Sequence, residues 1–308
     1  MQQYMVDIII PTYKPDADFR KMLLALTRQS YPIHKIIIMN TEEAYWDSRW
    51  IEGIPEVQVH HIAREAFDHG GTRDAAAKYS DGDIMVFLTQ DALPADTCLI
   101  EELVSAFREK DVKAAYARQL PAPSCSPAER YARLFNYPDK SSIKRKEDLP
   151  FLGIKTFFCS NVCAAYERNT YDALGGFIKH TIFNEDMIYA GNLIQADYGI
   201  AYVSKAKVIH SHNYGIIQQF KRNFDLAVSQ ADHPEIFAGV KSEKEGIHFV
   251  KSCAAYLVSI GKPWLILHLV IQSGFKFLGY RLGKLYCFLP RSIILKCTMN
   301  QAYWTAKL

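Results

Sequence analysis

The sequence has no Cys-x-x-Cys pair. Its seven Cys are an odd number, and the closest two, Cys159 and Cys163, stand four apart. That argues against a disulfide framework and a cysteine-built zinc site, and points to a reducing compartment. A P-loop, Gly-x-x-x-x-Gly-Lys-Ser/Thr, is also missing, which counts against a nucleotide hydrolase of that type. Net charge is small. Thirty-six Lys and Arg against 33 Asp and Glu leave +3 over 308 residues, and no nucleic-acid partner is expected from such a balance. Long apolar runs are lacking as well. The most apolar later stretch, 254–271, is interrupted by Lys262, Pro263 and His268, so a clean membrane-spanning helix is not expected. The polar opening, Met1–Val6, leads straight into an apolar segment and does not read as a secretory leader. No internal repeat or low-complexity tract is visible.

What is present is ordinary globular composition, 49% hydrophobic and 22% charged, enough for one or two domains with a sizeable core. The charge is unevenly spread. Residues 241–308 carry ten Lys/Arg and two acids, a net +8, which leaves −5 on the first 240. A basic tail on a mildly acidic body suggests an anionic partner for the tail. The charge break suggests a body over 1–240, the part in which any catalytic domain would lie, and a basic, amphipathic helical region over 241–308.

In the first half, short apolar runs alternate with helical patterns. Runs at 6–10, 35–39, 57–62, 84–88 and 112–117 predict strands. Asp16 is placed to cap a helix carrying Phe19, Leu23 and Leu26, Thr72 one running to Lys78, and a further helix is expected over 96–109. Such alternation predicts an α/β fold, with a mostly parallel sheet covered by helices on both faces. Ligands then bind beyond the carboxyl ends of the strands, which directs attention to 11–14, Asn40 and 89–91. The proline-rich stretch 121–146 reads as a connecting loop or an excursion over the site. Residues 157–165 read as a further buried strand, a helix starts near Asn184, a strand spans 201–209, and helical pattern dominates thereafter.

Four segments carry chemistry. In the first, a hydrophobic strand delivers Asp91 at its C-terminal end, in Asp83-Ile-Met-Val-Phe-Leu-Thr-Gln-Asp91. There it is either a hard oxygen ligand for Mg²⁺ or Mn²⁺ or the cap of the next turn. In Phe183-Asn-Glu185-Asp186 the two acids suit a helix N-terminus, or one of them is a general base made more basic by its neighbour's charge. His210 and His212, two apart at a strand end, point the same way and can complete a metal site with Asp91; as isolated residues they are surface or core histidines. In Asp68-His-Gly70-Gly71-Thr72-Arg73, two Gly before a helix start allow close approach of a phosphate, and Arg73 adds a bidentate donor.

In chain order these pieces resemble family 2 glycosyltransferases, within them the rhamnosyltransferase-like branch, over residues 6–230. Val6-Asp-Ile-Ile-Ile-Pro-Thr-Tyr13 is similar to the family's opening strand, where the nucleotide enters, and Ile36-Ile-Ile-Met-Asn40 to its second strand. Phe67-Asp-His-Gly-Gly-Thr-Arg73 is close to the segment leading into Arg-Asn. Phe87-Leu-Thr-Gln-Asp91 resembles the Asp-x-Asp segment in its Thr-Gln-Asp form. Leu174-Gly-Gly-Phe177 with Phe183-Asn-Glu-Asp186 resembles the acceptor-side segment with the catalytic Glu-Asp pair, and His210 matches the late His. Three positions depart: Asn40 stands for the usual acid, Asp74 for the usual Asn, and Thr89 for the first Asp of Asp-x-Asp.

The resemblance implies a GT-A type, Rossmann-like fold and inverting transfer of a sugar, best read as L-rhamnose from dTDP-rhamnose, to a hydroxyl of a saccharide or polyprenyl-linked acceptor. A UDP-sugar or galactofuranosyl donor, or a catalytically silent nucleotide-binding scaffold, are the other readings. It implies Asp186 as base supported by Glu185, with Thr12, Tyr13, Asn40, Arg73, Gln90 and Asp91 on the donor and Asp91 with His210 on Mg²⁺ or Mn²⁺. Such acceptors would place the enzyme at the cytoplasmic leaflet. The tail's large apolar content and basic flanks suit an anionic membrane surface, or else a homodimer contact or packing on the core.

Overall fold

The computed structural model describes residues 3–239 and 243–307. The chain divides into two compact units. The first comprises Met1–Leu120, Tyr137–Lys179 and Glu185–His210; the second comprises Pro121–Asn136, His180–Asn184 and Ser211–Leu308.

The first unit is built on one mixed sheet. Its strands are β1 (Val6–Tyr13), β2 (Lys35–Thr41), β3 (Val57–Ile62), β4 (Ile84–Leu88), β5 (Leu93–Pro94), β6 (Val112–Leu120), β7 (Ser142–Lys144), β8 (Cys163–Glu167) and β9 (Gly199–Ile209). They lie in the order β3-β2-β1-β4-β8-β6-β9-β5, with β7 also on β9. β3, β2, β1 and β4 are mutually parallel. β8 is antiparallel to both its neighbours, and β9 is parallel to β6. Of the apolar runs predicted to be buried on both faces, β4 and most of β1 and β2 are sealed from solvent, whereas β3, at the edge of the sheet, has no buried residue. Alternate side chains serve opposite faces. Ile8, Ile10, Ile36 and Ile38 pack with the helices Ala17–Leu26 and Leu99–Ser105. On the other side Phe87 joins a cluster of buried rings, Tyr166, Tyr171, Phe177 and Tyr189. These rings are set edge-on or tilted, as aromatic quadrupoles favour.

Asp16 caps its helix as expected, accepting from the N–H groups of Asp18 and Phe19. Other local expectations are corrected. The helix His69–Ala77 is capped by Asp68, whose Oδ2 accepts from Gly71 N–H at 2.7 Å, not by Thr72. An Asp one position before the helix reaches the free N–H groups first, and Thr72 instead accepts from Asp68 N–H. The 96–109 helix shortens to Leu99–Ser105 with a 3-10 turn after it. The stretch 121–146 contains a ten-residue helix, Pro127–Asn136, and strand β7, because amphipathic spacing outweighs the flanking prolines. Residues 157–165 are not one strand. A 3-10 helix ends at Phe157, a turn follows, and β8 begins only at Cys163.

The second unit is helical: Pro127–Asn136, Ile216–Asp232, Glu243–Ser259, Leu265–Lys284, Arg291–Cys297 and Gln301–Lys307 are its main elements. One core gathers Ile182, Phe224, Val228, Ile294 and Trp304; a second gathers Cys253, Leu257 and Leu269 with Tyr131. The helices Ile216–Asp232 and Leu265–Lys284 run in close contact along Gly279 and Gly283. A Cβ on either glycine would lie 2.2–2.3 Å from the carbonyl oxygens of Phe220 and Phe224.

Candidate functional site

The parallel strands deliver their last residues to one edge of the sheet. Thr12 and Asn40 are register partners at the ends of β1 and β2, and the Thr12 hydroxyl donates to Asn40 Oδ1 at 3.1 Å. The Asn40 amide nitrogen donates to Glu42 O and faces His61 Nδ1, each at 3.0 Å. Asn40 is wholly buried. An acid there would present an oxygen to a carbonyl oxygen, which gives a physical reason for Asn at this position.

Beyond β4, Gln90 folds back to the end of β1. Its Oε1 accepts from Tyr13 N–H at 2.8 Å and its amide nitrogen donates to Tyr13 O at 3.1 Å. The Tyr13 ring meets Tyr45 edge-on, with the Lys14 ammonium 4.4 Å from the Tyr45 centroid.

Asp91 follows directly, its side chain 44% exposed, with Oδ2 3.5 Å from His210 Nε2. Strand pairing explains the meeting of residues so distant in sequence. β5 lies antiparallel on β9 with Leu93 opposite Ile209, so the residue two before β5 and the residue after β9 come together. His210 is buried, and its Nδ1 contacts Gln119 Oε1 at 3.0 Å. Gln119 uses its amide nitrogen on the Tyr137 hydroxyl and the Ser160 hydroxyl, at 2.6 and 3.0 Å. Its oxygen is therefore the acceptor, His210 Nδ1 carries the hydrogen, and in the neutral ring the lone pair sits on Nε2, facing Asp91. A carboxylate oxygen beside an imidazole lone pair is a donor pair that fits Mn²⁺ better than Mg²⁺, which prefers oxygen ligands alone, and the anchoring of the far nitrogen is the support metal-binding histidines have. His212 belongs to the second unit.

The acid pair opens the helix Glu185–Gln195. Glu185 is buried against Arg73, with Oε1 3.2 Å from Nη1. Arg73, also buried, donates to His69 O within its own helix. Burial would raise Glu185, but the Arg73 charge, His69 and the Asn161 amide outweigh it and hold the carboxyl below its ordinary range. Asp186 behaves oppositely. Burial first, then the charge of Glu185, lift it to about 7, against the N–H groups of Asn161 and Met187 that favour its charged form. One carboxylate is thus kept ionised while its neighbour is poised near neutrality, the arrangement a general base requires.

Asn161, which sequence reasoning missed, organises this pair. Its N–H donates to Asp186 Oδ2 at 3.0 Å, its side-chain amide to Glu185 Oε1 at 3.2 Å, and its Oδ1 accepts from Tyr166 OH at 2.8 Å. Its neighbours serve the other half of the site. Ser160 receives Gln119, and Val162 O receives Thr89 N–H at 3.1 Å. One turn, 160–162, therefore touches the base pair, the strand holding the His210 partner and the loop carrying Asp91. The polar pair Ser160-Asn161 inside an apolar run was the available signal.

The glycines also have another role than expected. Gly70 and Gly71 lie inside the first turn of their helix, and a Cβ on Gly70 would stand 1.9 Å from Ile178 O and 3.2 Å from Glu185 Cβ. Asp74 accepts from Tyr171 OH at 3.3 Å, and a Cβ on Gly176 would lie 2.3 Å from its Oδ1. In the second unit Arg222 stacks 4.5 Å from the Phe183 centroid, and Phe224 is fully buried.

Comparison with known proteins places the chain in a family and a fold. The model of the family "Glycosyl transferase family 2" matches residues 7–175. The O-antigen chain rhamnosyltransferase RfbN of Salmonella typhimurium is 39% identical over 303 residues, 97% of this chain and 96% of its own. WbaN of Salmonella anatum, with the same description, is 40% identical over 302 residues, 96% and 95% of the two chains. Among solved structures, the mannosyltransferase PcManGT of Pyrobaculum calidifontis, in complex with GDP-Man and Mn²⁺, shares the fold. Its TM-score is 0.58 at 16% identity, over 99% of this chain and 86% of that one. TarS 1-349 of S. aureus, in complex with UDP-GlcNAc, gives 0.53 at 11% identity, over 92% and 91%.

Proposed function

The chain belongs to glycosyl transferase family 2, and on that premise we propose that this glycosyltransferase moves L-rhamnose from dTDP-rhamnose to a hydroxyl of a saccharide or polyprenyl-linked saccharide. The donor sugar is read from the two O-antigen chain rhamnosyltransferases that it resembles along nearly their whole length. The product would be a growing cell-surface polysaccharide, made at the cytoplasmic face of an anionic membrane.

The mechanism rests on the 160–162 turn, which ties the Asp186 pair to the Asp91–His210 pair. Asp186 takes the proton from the acceptor hydroxyl. The freed oxygen pair forms the bond to the anomeric carbon, and the bond to the diphosphate breaks on the opposite face, so configuration inverts. The proton rests on Asp186, and the electron pair leaves with the nucleotide diphosphate. Glu185, held ionised by Arg73, keeps Asp186 basic and does not compete for the proton. Asp91 and His210 would hold a divalent cation, which when bound supplies charge neutralisation for the departing diphosphate. Thr12, Tyr13 and Gln90 shape the strand ends over which the nucleotide lies, and Asn40 holds the Thr12 hydroxyl.

A coupled assay on nucleotide sugars tests the reading. We expect nucleotide diphosphate to be released from dTDP-rhamnose only when a saccharide acceptor is supplied. Release from a UDP-sugar instead, or without acceptor, would refute it.

A further inference from the structure

A helix packed on one side is expected to turn its polar face outward. Helix Leu265–Lys284 does the reverse. Its inner side is taken up by the helix Ile216–Asp232, through Gly279, Gly283 and the Tyr280–Gln230 hydrogen bond of 2.9 Å. Its outward side presents Leu267, Val270, Ile271, Phe275, Phe277 and Leu278, continued by Trp264 before the helix and Leu285 and Phe288 after it. Leu267 is 70% exposed, Trp264 69% and Phe288 81%. At roughly 200 Å² for a large side chain, these nine expose on the order of 1,000 Å², well beyond the few hundred Å² of an ordinary surface patch.

Charge says what covers it. From Gly246 to the end of the chain there is no Asp or Glu, while Lys262, Arg281, Lys284 and Arg291 stand in or beside the apolar strip. Two copies of this face laid together would bring like charges into contact, whereas an anionic lipid surface satisfies both the apolar strip and its cations. No helix among the described residues is long and apolar enough to cross a membrane. Twenty residues amount to about 30 Å of helix, a length suited to lying in the interface plane.

We propose that the outward face of Trp264–Phe288 is a docking surface for anionic phospholipid, with the apolar side chains entering the acyl boundary and Lys262, Arg281, Lys284 and Arg291 meeting the headgroups. This gives a surface to the membrane placement proposed above, but it stands on the exposed residues and not on the transfer chemistry.

The test is flotation of the full chain with phosphatidylcholine vesicles, with and without phosphatidylglycerol. The protein should float with the anionic vesicles only and be released by high salt. The double variant L267E/L278E should bind at least about tenfold more weakly, with unchanged circular dichroism and unchanged transfer to a soluble acceptor. Failure of the wild-type chain to float with anionic vesicles, or undiminished flotation of the double variant, would overturn the proposal. So would sedimentation showing a dimer that L267E/L278E dissociates, which would assign the face to a second copy. Loss of transfer to the soluble acceptor in the wild-type chain would count against the transferase reading alone.

Discussion

The raised affinity of Asp186 for a proton makes the pH profile of the chemical step a direct test of its role. With its carboxyl at about 7, the ionised fraction is about a tenth at pH 6, half at pH 7 and nine-tenths at pH 8. Single-turnover transfer should follow that curve, falling about tenfold per unit below pH 6 and levelling above pH 8. Asp186→Asn should lower the rate by about 10²–10⁴-fold while nucleotide-sugar binding is kept, since the base acts on the acceptor. The decisive variant is Glu185→Gln. The Glu185 charge is one of the two forces lifting Asp186, so its removal should move the acid limb to lower pH. Arg73 then loses its buried partner, at a cost of about 3–5 kcal/mol of stability, which thermal unfolding will register separately. A merely structural Glu185 would lower the amplitude and leave the midpoint in place. A profile flat from pH 5.5 to 8 in the wild-type chain, or an unmoved midpoint in Glu185→Gln, would refute the assignment.

Two further outcomes follow from local geometry. Gly70→Ala drives a methyl group against Ile178 O and should cost about 1–3 kcal/mol, lowering the melting temperature by several degrees; an unchanged melting temperature would show that the helix does not depend on that contact. Gln119→Leu removes the acceptor that holds His210 Nδ1–H and should weaken Mn²⁺ binding by about 10–100-fold in titration calorimetry, while unaltered affinity would remove Gln119 from the support of that pair.

Much of the fold is written in local pattern. Apolar runs of strand length, Asp16 ahead of a helical stripe, and Asp91 just past a sealed strand depend on residues within a few positions of one another, and they appear in the structure where the periodicity put them. The acid pair 185–186 was legible for the same reason, as two carboxylates at a helix start. The unequal environments of the two acids were not, because Arg73 and Asn161 arrive from other elements.

The 157–165 run was read as one strand because apolar content does not reveal where a ladder begins. Its polar turn is set by Gln119, Thr89 and Asp186, all remote in sequence. Gly70 and Gly71 fit a phosphate-approach pattern equally well until the Ile178 carbonyl is placed against Gly70. In the tail, sequence alone determined that the segment is basic, apolar and helical. Only tertiary structure decided which side faces out, because close packing along Gly279 and Gly283 takes up the inner side of the helix and leaves the large hydrophobics to solvent.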